Sequence, residues 1–171
     1  MDRTRRICAA LMVVFAIGGS LPTQAEDLVG KKAPDFKLMD CEGKETTLSQ
    51  FSGKIVVLNF WRTTCFPCLE EIPDLVKIYE EYRDKGVVVL GIAVNDNPTD
   101  VDNKVQVLQV EYPMARDDMA TRLKYQIKSV PHTFIIDRNG IVRHHFDRKT
   151  DKKAIEEALK PLLAQKAVET E

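Results

Sequence analysis

A junction carrying two cysteines constrains this chain more than any other stretch. Ile55-Val56-Val57-Leu58-Asn59-Phe60 is a short apolar block rich in β-branched residues, which suits a buried strand. After Cys68, apolar residues fall at Ile72, Leu75, Val76, Tyr79 and Tyr82, which is helical spacing. Cys65-Phe66-Pro67-Cys68 therefore stands where a buried strand hands over to an amphipathic helix.

That placement has chemical consequences. The first N–H groups of a helix lack internal partners and carry partial positive charge. A thiolate beside them is stabilised, so Cys65 is expected to ionise below the free value of roughly 8.5, towards about 7 or lower. Only the thiolate attacks disulfides. Cys68 lies one turn further in, within reach to close a tight disulfide. Pro67 can sit in the first helical turn without losing a needed hydrogen bond. The pair reads as a dithiol that cycles, with Cys65 attacking and Cys68 resolving. Two other readings compete. A zinc site would need a second pair of Cys or His at similar spacing, whereas His132 and Cys41 are isolated and His144 and His145 adjacent. A purely structural disulfide would close a very short loop, which stabilises little. No metal and no cofactor are expected.

The 171 residues suit one domain with a removable leader, and the net charge of −1 gives no argument for nucleic acid as a partner. Arg3, Arg5 and Arg6 precede an apolar run from Ile7 to Ile17, and Thr23-Gln24-Ala25 fits a cleavage site. Residues 1–25 are thus read as a signal peptide and 26–171 as the mature domain. The apolar run is shorter than the roughly 20 residues of a membrane span, with an uncleaved inner-membrane anchor as the alternative. Export to an oxidising space, most simply the periplasm, leaves Cys41, Cys65 and Cys68, so Cys41 is the odd thiol. The bland reading of Cys41 is a small, partly buried residue in a turn; the sharper one is a third redox thiol or an intermolecular bridge.

Along the chain, Phe36–Met39 and Glu45–Leu48 read as a hairpin around Asp40-Cys41-Glu42-Gly43-Lys44. A strand over Ile55–Trp61 precedes a helix from Phe66 to about Lys85, ended by Gly86 and interrupted by Pro73, which should kink it. Val87–Val94 is a second buried strand. A turn over Asn95–Asp100 caps a helix over Val101–Val110. A brief strand over Tyr112–Ala115 and a short helix over Met119–Tyr125, capped by Asp117-Asp118, follow. Thr133–Asp137 and Ile141–His145 form a hairpin around Arg138-Asn139-Gly140. The closing helix starts after Thr150 or Asp151, and Pro161 should bend or end it. The order is α/β, a central mixed sheet covered by helices.

Trp61-x-x-x-Cys65-x-Pro67-Cys68 followed by Glu71-x-Pro73 resembles the thioredoxin superfamily, in particular the TlpA/ResA-like thiol-disulfide oxidoreductases. Gly30-x-x-Ala33-Pro34-Asp35-Phe36 and Leu48-Ser49-Gln50-Phe51-x-Gly53-Lys54 match that group's N-terminal extension. Val130-Pro131-His132-Thr133-Phe134 matches its proline loop. The resemblance covers about residues 28–165. It implies a thioredoxin-like fold with an N-terminal β-hairpin extension and a helical insert. It also implies a cis Pro131 facing the dithiol, and a Val130 backbone that pairs with an incoming peptide. Trp61 would pack beside the site and help bind substrate. Thioredoxins carry a buried Asp where Asn59 stands, and Asn59 cannot accept a proton. In the ResA-like group an acid at the Glu71 position tunes the pair, so Glu71 becomes the proton acceptor for Cys68. His132 takes a place where Thr is commoner, beside a thiol whose pKa it could lower; His144 and His145 read as surface residues.

Phe66-Pro67 brings no cation to over-stabilise a thiolate, which predicts a reducing couple between about −270 and −180 mV. A reductant in an oxidising compartment needs a donor and a client. The resemblance implies a membrane thiol transporter of the DsbD/CcdA type as donor and a disulfide-containing client such as the Cys-x-x-Cys-His segment of apocytochrome c. Two rival classes remain. Peroxiredoxins share the Ala33-Pro34-Asp35-Phe36 lead-in but need a Thr three residues before the reactive Cys, where Arg62 stands. Cu(I)-handling relatives exploit soft thiolates, but with wider cysteine spacing and a distal His.

Overall fold

The computed structural model describes residues 28–165, and the leader expected over residues 1–25 lies outside them. Strands β1 (Lys37–Met39) and β2 (Glu45–Thr47) pair antiparallel as a small hairpin. Its turn is held by Asp40, whose Oδ1 accepts from the N–H groups of Glu42 and Lys44, with Gly43 at φ 78°. There follow β3 (Ile55–Trp61), α1 (Phe66–Tyr82), β4 (Val87–Ala93) and α2 (Pro98–Val107). Then come β5 (Met114–Arg116), α3 (Ala120–Lys124), β6 (His132–Ile136), β7 (Val142–Phe146) and α4 (Lys152–Ala164). The larger sheet runs β5-β4-β3-β6-β7, with β5, β4 and β3 parallel and β6 and β7 antiparallel to their neighbours. This is the thioredoxin-like fold with its N-terminal hairpin.

All seven residues of β3 are buried, because it is central and covered on both faces. Alternation sorts its side chains into two cores. Ile55, Val57 and Trp61 pack with Ile72, Leu75 and Ile78 of α1 and with Ile155, Leu159 and Leu162 of α4. Val56, Leu58 and Phe60 pack with Phe36, Leu38, Tyr125 and Phe134. Each fully buried aliphatic side chain on α1 contributes about 1.5–3 kcal/mol, which fixes that helix on the sheet and its N-terminus at the end of β3.

Several boundaries differ from the sequence reading. Helix α2 begins at Pro98, three residues early. Asn97 is its N-cap and accepts from the Thr99 N–H, and Pro98 fills the first helical position. The helix stops at Val107, and Gln109 follows with φ 52°. Strand β5 starts at Met114 rather than Tyr112, since Pro113 has no N–H to give a ladder and contributes only its carbonyl, to Gly91 N. Helix α1 continues through Pro73, and α4 runs past Pro161 to Ala164.

The N-terminal extension touches both edges of the sheet. Asp40 forms an antiparallel bridge to Ala115, and Cys41 N donates to Met114 O at the β5 edge. Lys32 bridges to Ile141, Val142 N donates to Lys31 O, and Gly30 N to Val142 O at the β7 edge.

Candidate functional site

Parallel strands deliver their C-terminal ends to one side of the sheet, and β3 and β4 do so in register, Trp61 opposite Ala93. The segment after β3 is tied to the one after β4. Thr63 donates from its N–H to Asp96 Oδ2 at 2.7 Å and from its hydroxyl to Oδ1 at 3.1 Å. Arg62 Nε lies 3.8 Å from the same carboxylate. Asp96, expected only as part of a turn, thus holds the loop that precedes Cys65.

Cys65 is the N-cap of α1, in extended backbone, and its Sγ accepts from the Cys68 N–H at 3.3 Å. Cys65 and Cys68 form a disulfide, with their Cα atoms 5.3 Å apart. Cys65 is half-buried, whereas Cys68 is 1% exposed. Phe66 between them is exposed. The Val130–Pro131 peptide bond is cis, and Val130 O lies 3.6 Å from Cys65 Sγ. The expected proline loop therefore faces the outer sulfur.

Glu71, one turn beyond Cys68, is wholly buried. Its Oε1 accepts from the Thr133 hydroxyl at 2.6 Å and from Asn59 Nδ2 at 3.4 Å. Asn59 Nδ2 also donates to Thr133 Oγ1 at 2.9 Å. Oε2 has no hydrogen-bond partner among the described residues. Burial pushes the Glu71 carboxyl up from 4.5 to about 7; the Thr133 hydroxyl, the Thr150 backbone and the Lys149 ammonium pull the other way without offsetting it. Glu70 is exposed and pairs with Lys149 at 2.9 Å.

Three sequence expectations need correction. Trp61 is wholly buried, in the core cluster that includes Cys68, so it offers no exposed surface where substrate contact was expected. His132 is engaged with the neighbouring strand: its Nδ1 lies 2.8 Å from His145 Nε2 and the two rings stack. His145 is accordingly not a surface residue. It is half-buried and stacks on Phe134 at 4.2 Å, and burial lowers its pKa to about 4. Thr133 was missed; its one sequence signal is a hydroxyl within the apolar run of β6. Cys41 lies half-buried after the β1 strand, and burial raises its thiol to about 11.

Comparison with known proteins agrees with this arrangement. The AhpC/TSA family profile matches residues 29–145. A protein of Bacillus thuringiensis subsp. konkukian (strain 97-27) named thiol-disulfide oxidoreductase ResA is 34% identical, over 92% of this chain and 94% of that one. A crystal structure of a thiol:disulfide interchange protein of the thioredoxin family from Chlorobium tepidum TLS superposes with a TM-score of 0.72 at 28% identity, covering 77% of this chain and 95% of that one. A secreted thiol-disulfide isomerase from Corynebacterium glutamicum gives a TM-score of 0.72 at 27% identity, over 78% and 86%.

Proposed function

Given that this chain belongs to the AhpC/TSA family and is a thiol-disulfide oxidoreductase of the ResA type, we propose that it reduces protein disulfides outside the cytoplasm, with Cys65 attacking and Cys68 resolving. The observation that carries this reading is the asymmetry of the pair. Cys65 Sγ is half-exposed, capped by the Cys68 N–H, and lies at the positive end of a 17-residue helix. Cys68 is buried behind it. A client sulfur can therefore reach one thiolate, and the second must act from within. Glu71 is the acceptor of the Cys68 proton in that second step. Its elevated pKa suits proton exchange near neutral pH. Val130 and Pro131 receive the client backbone, and the exposed Phe66 offers it apolar contact.

The basic residues followed by an apolar run within residues 1–25, a pattern that suits an export signal, support a periplasmic setting, and the Corynebacterium relative is described as secreted. In that setting a transporter of the DsbD/CcdA type supplies electrons, and apocytochrome c is the client class. The test replaces Cys68 with Ser. Reduced Cys68→Ser protein should accumulate mixed disulfides through Cys65, and mass spectrometry should identify clients carrying Cys-x-x-Cys-His. Absence of any trapped partner, under conditions where the unaltered protein reduces its client, would remove the relay.

A further inference from the structure

We propose that Thr133, with its hydrogen-bond direction fixed by Asn59, is a positioning residue that confines the Glu71 proton to Oε2. This rests on the reading of Glu71 as the proton acceptor. The three side chains come from three elements: Asn59 from β3, Thr133 from β6 and Glu71 from α1. Asn59 Nδ2 donates to Thr133 Oγ1 at 2.9 Å and faces Glu71 Oε1 at 3.4 Å. The reversed amide would aim its oxygen at a carboxylate oxygen, acceptor against acceptor. With Asn59 donating to it, the Thr133 hydroxyl spends its single proton on Glu71 Oε1 at 2.6 Å. Oε1 thus meets two donors, and a proton placed on it would collide with theirs. Oε2 meets none. The labile proton belongs on Oε2, and the carboxyl does not need to rotate to release it.

The remaining charged and titratable groups around Glu71 leave that assignment intact. Lys149, in the segment between β7 and α4, spends its ammonium on Glu70. Asp74, on the same helix, adds only repulsion, and the Thr150 backbone N–H, a donor from the segment ahead of α4, draws the carboxyl pKa down alongside the Thr133 hydroxyl. Tyr112, ahead of β5, feels the Glu71 charge but its hydroxyl bonds to nothing among the described residues.

In the resolving step the Cys68 S–H proton passes to Oε2, and the Cys68 sulfur bonds Cys65 Sγ. The Cys65–client S–S bond breaks, its electron pair leaves on the client sulfur, and that thiolate takes a proton from solvent. The dithiol is oxidised by two electrons and the client disulfide is reduced by two. The Thr133 hydroxyl stabilises the Glu71 anion, so its loss raises the carboxyl pKa further.

The experiment follows the Glu71 carboxyl by carbon-13 NMR and the pH profile of mixed-disulfide resolution in the full chain, for Thr133→Val, Thr133→Ser and Glu71→Gln. Thr133→Val should move the carboxyl midpoint up by about one pH unit or more, and the resolution profile with it. Thr133→Ser should restore both. An unmoved midpoint in folded Thr133→Val, or a Ser variant that behaves like Val, overturns the positioning role. Glu71→Gln separates the two claims. It should abolish the acidic limb of the resolution profile, and if that limb survives, the acceptor reading falls and this proposal with it. If the limb vanishes while Thr133→Val changes nothing, the positioning role alone falls.

Discussion

Glu71 is a carboxyl held where water does not reach, and the cost of that burial has a sign. Its folded pKa, about 7, lies above the ordinary 4.5, so between those values the folded chain binds a proton that the unfolded chain does not. Stability from this group is full below pH 4.5 and is lost as pH rises through 7, by on the order of 3 kcal/mol. Glu71→Gln keeps the shape without the charge. It should raise the melting temperature at pH 8 relative to the unaltered chain, and that gap should close by pH 4.5; thermal unfolding monitored by circular dichroism at the two pH values checks it. The same residue shows what a sequence can disclose. Cys65 and Cys68 were legible from their place between strand and helix, and Glu71 from its helical spacing together with the family resemblance. Thr133, 62 positions from Glu71, and Asp96, 33 from Thr63, were not, because their contacts exist only once strands are paired. His145 was misread for the same reason: its neighbours His132 and Phe134 come from the adjacent strand.

At the scale of elements, β3 matched its reading residue for residue, since a short β-branched block with a single polar residue, Asn59, has few alternatives. Boundaries failed where a single local bond decides them, as with Asn97 capping α2 and Pro113 delaying β5. Strand β4 carries a further constraint. A methyl group on Gly91 would stand 2.1 Å from Met114 Sδ and 3.5 Å from Trp61 Nε1. Gly91 therefore lets β5 and the indole under the dithiol close onto β4. Gly91→Ala forces Met114 aside and should cost about 1–3 kcal/mol, as overpacking does. Denaturant titration should show the midpoint falling at unchanged slope. The same variant should keep Cys65 reactive, because β3 and the α1 N-terminus are not moved directly.

At the scale of the molecule, the fold gives the three cysteines among the described residues three fates. With the pair joined as a disulfide, Cys65 is half-exposed at a helix N-terminus and Cys68 is enclosed, while Cys41 is held protonated by burial, at about 11. Iodoacetamide at pH 7 should give one adduct on the reduced protein, on Cys65, with the other two labelled at least about tenfold more slowly until denaturant is added. Peptide mapping by mass spectrometry reads the outcome, and a uniform adduct pattern would contradict the ordering.

The bridges from Asp40 to Ala115 and from Lys32 to Ile141 have a bearing on the company such a molecule keeps. An open strand edge is a template on which foreign chains can grow. Here the segment ahead of β3 acts as a bumper at both rims of the sheet, against Met114 and Ala115 of β5 and against the start of β7. Both rims are thus partly closed to a foreign strand, which lowers the tendency of the sheet to recruit other chains.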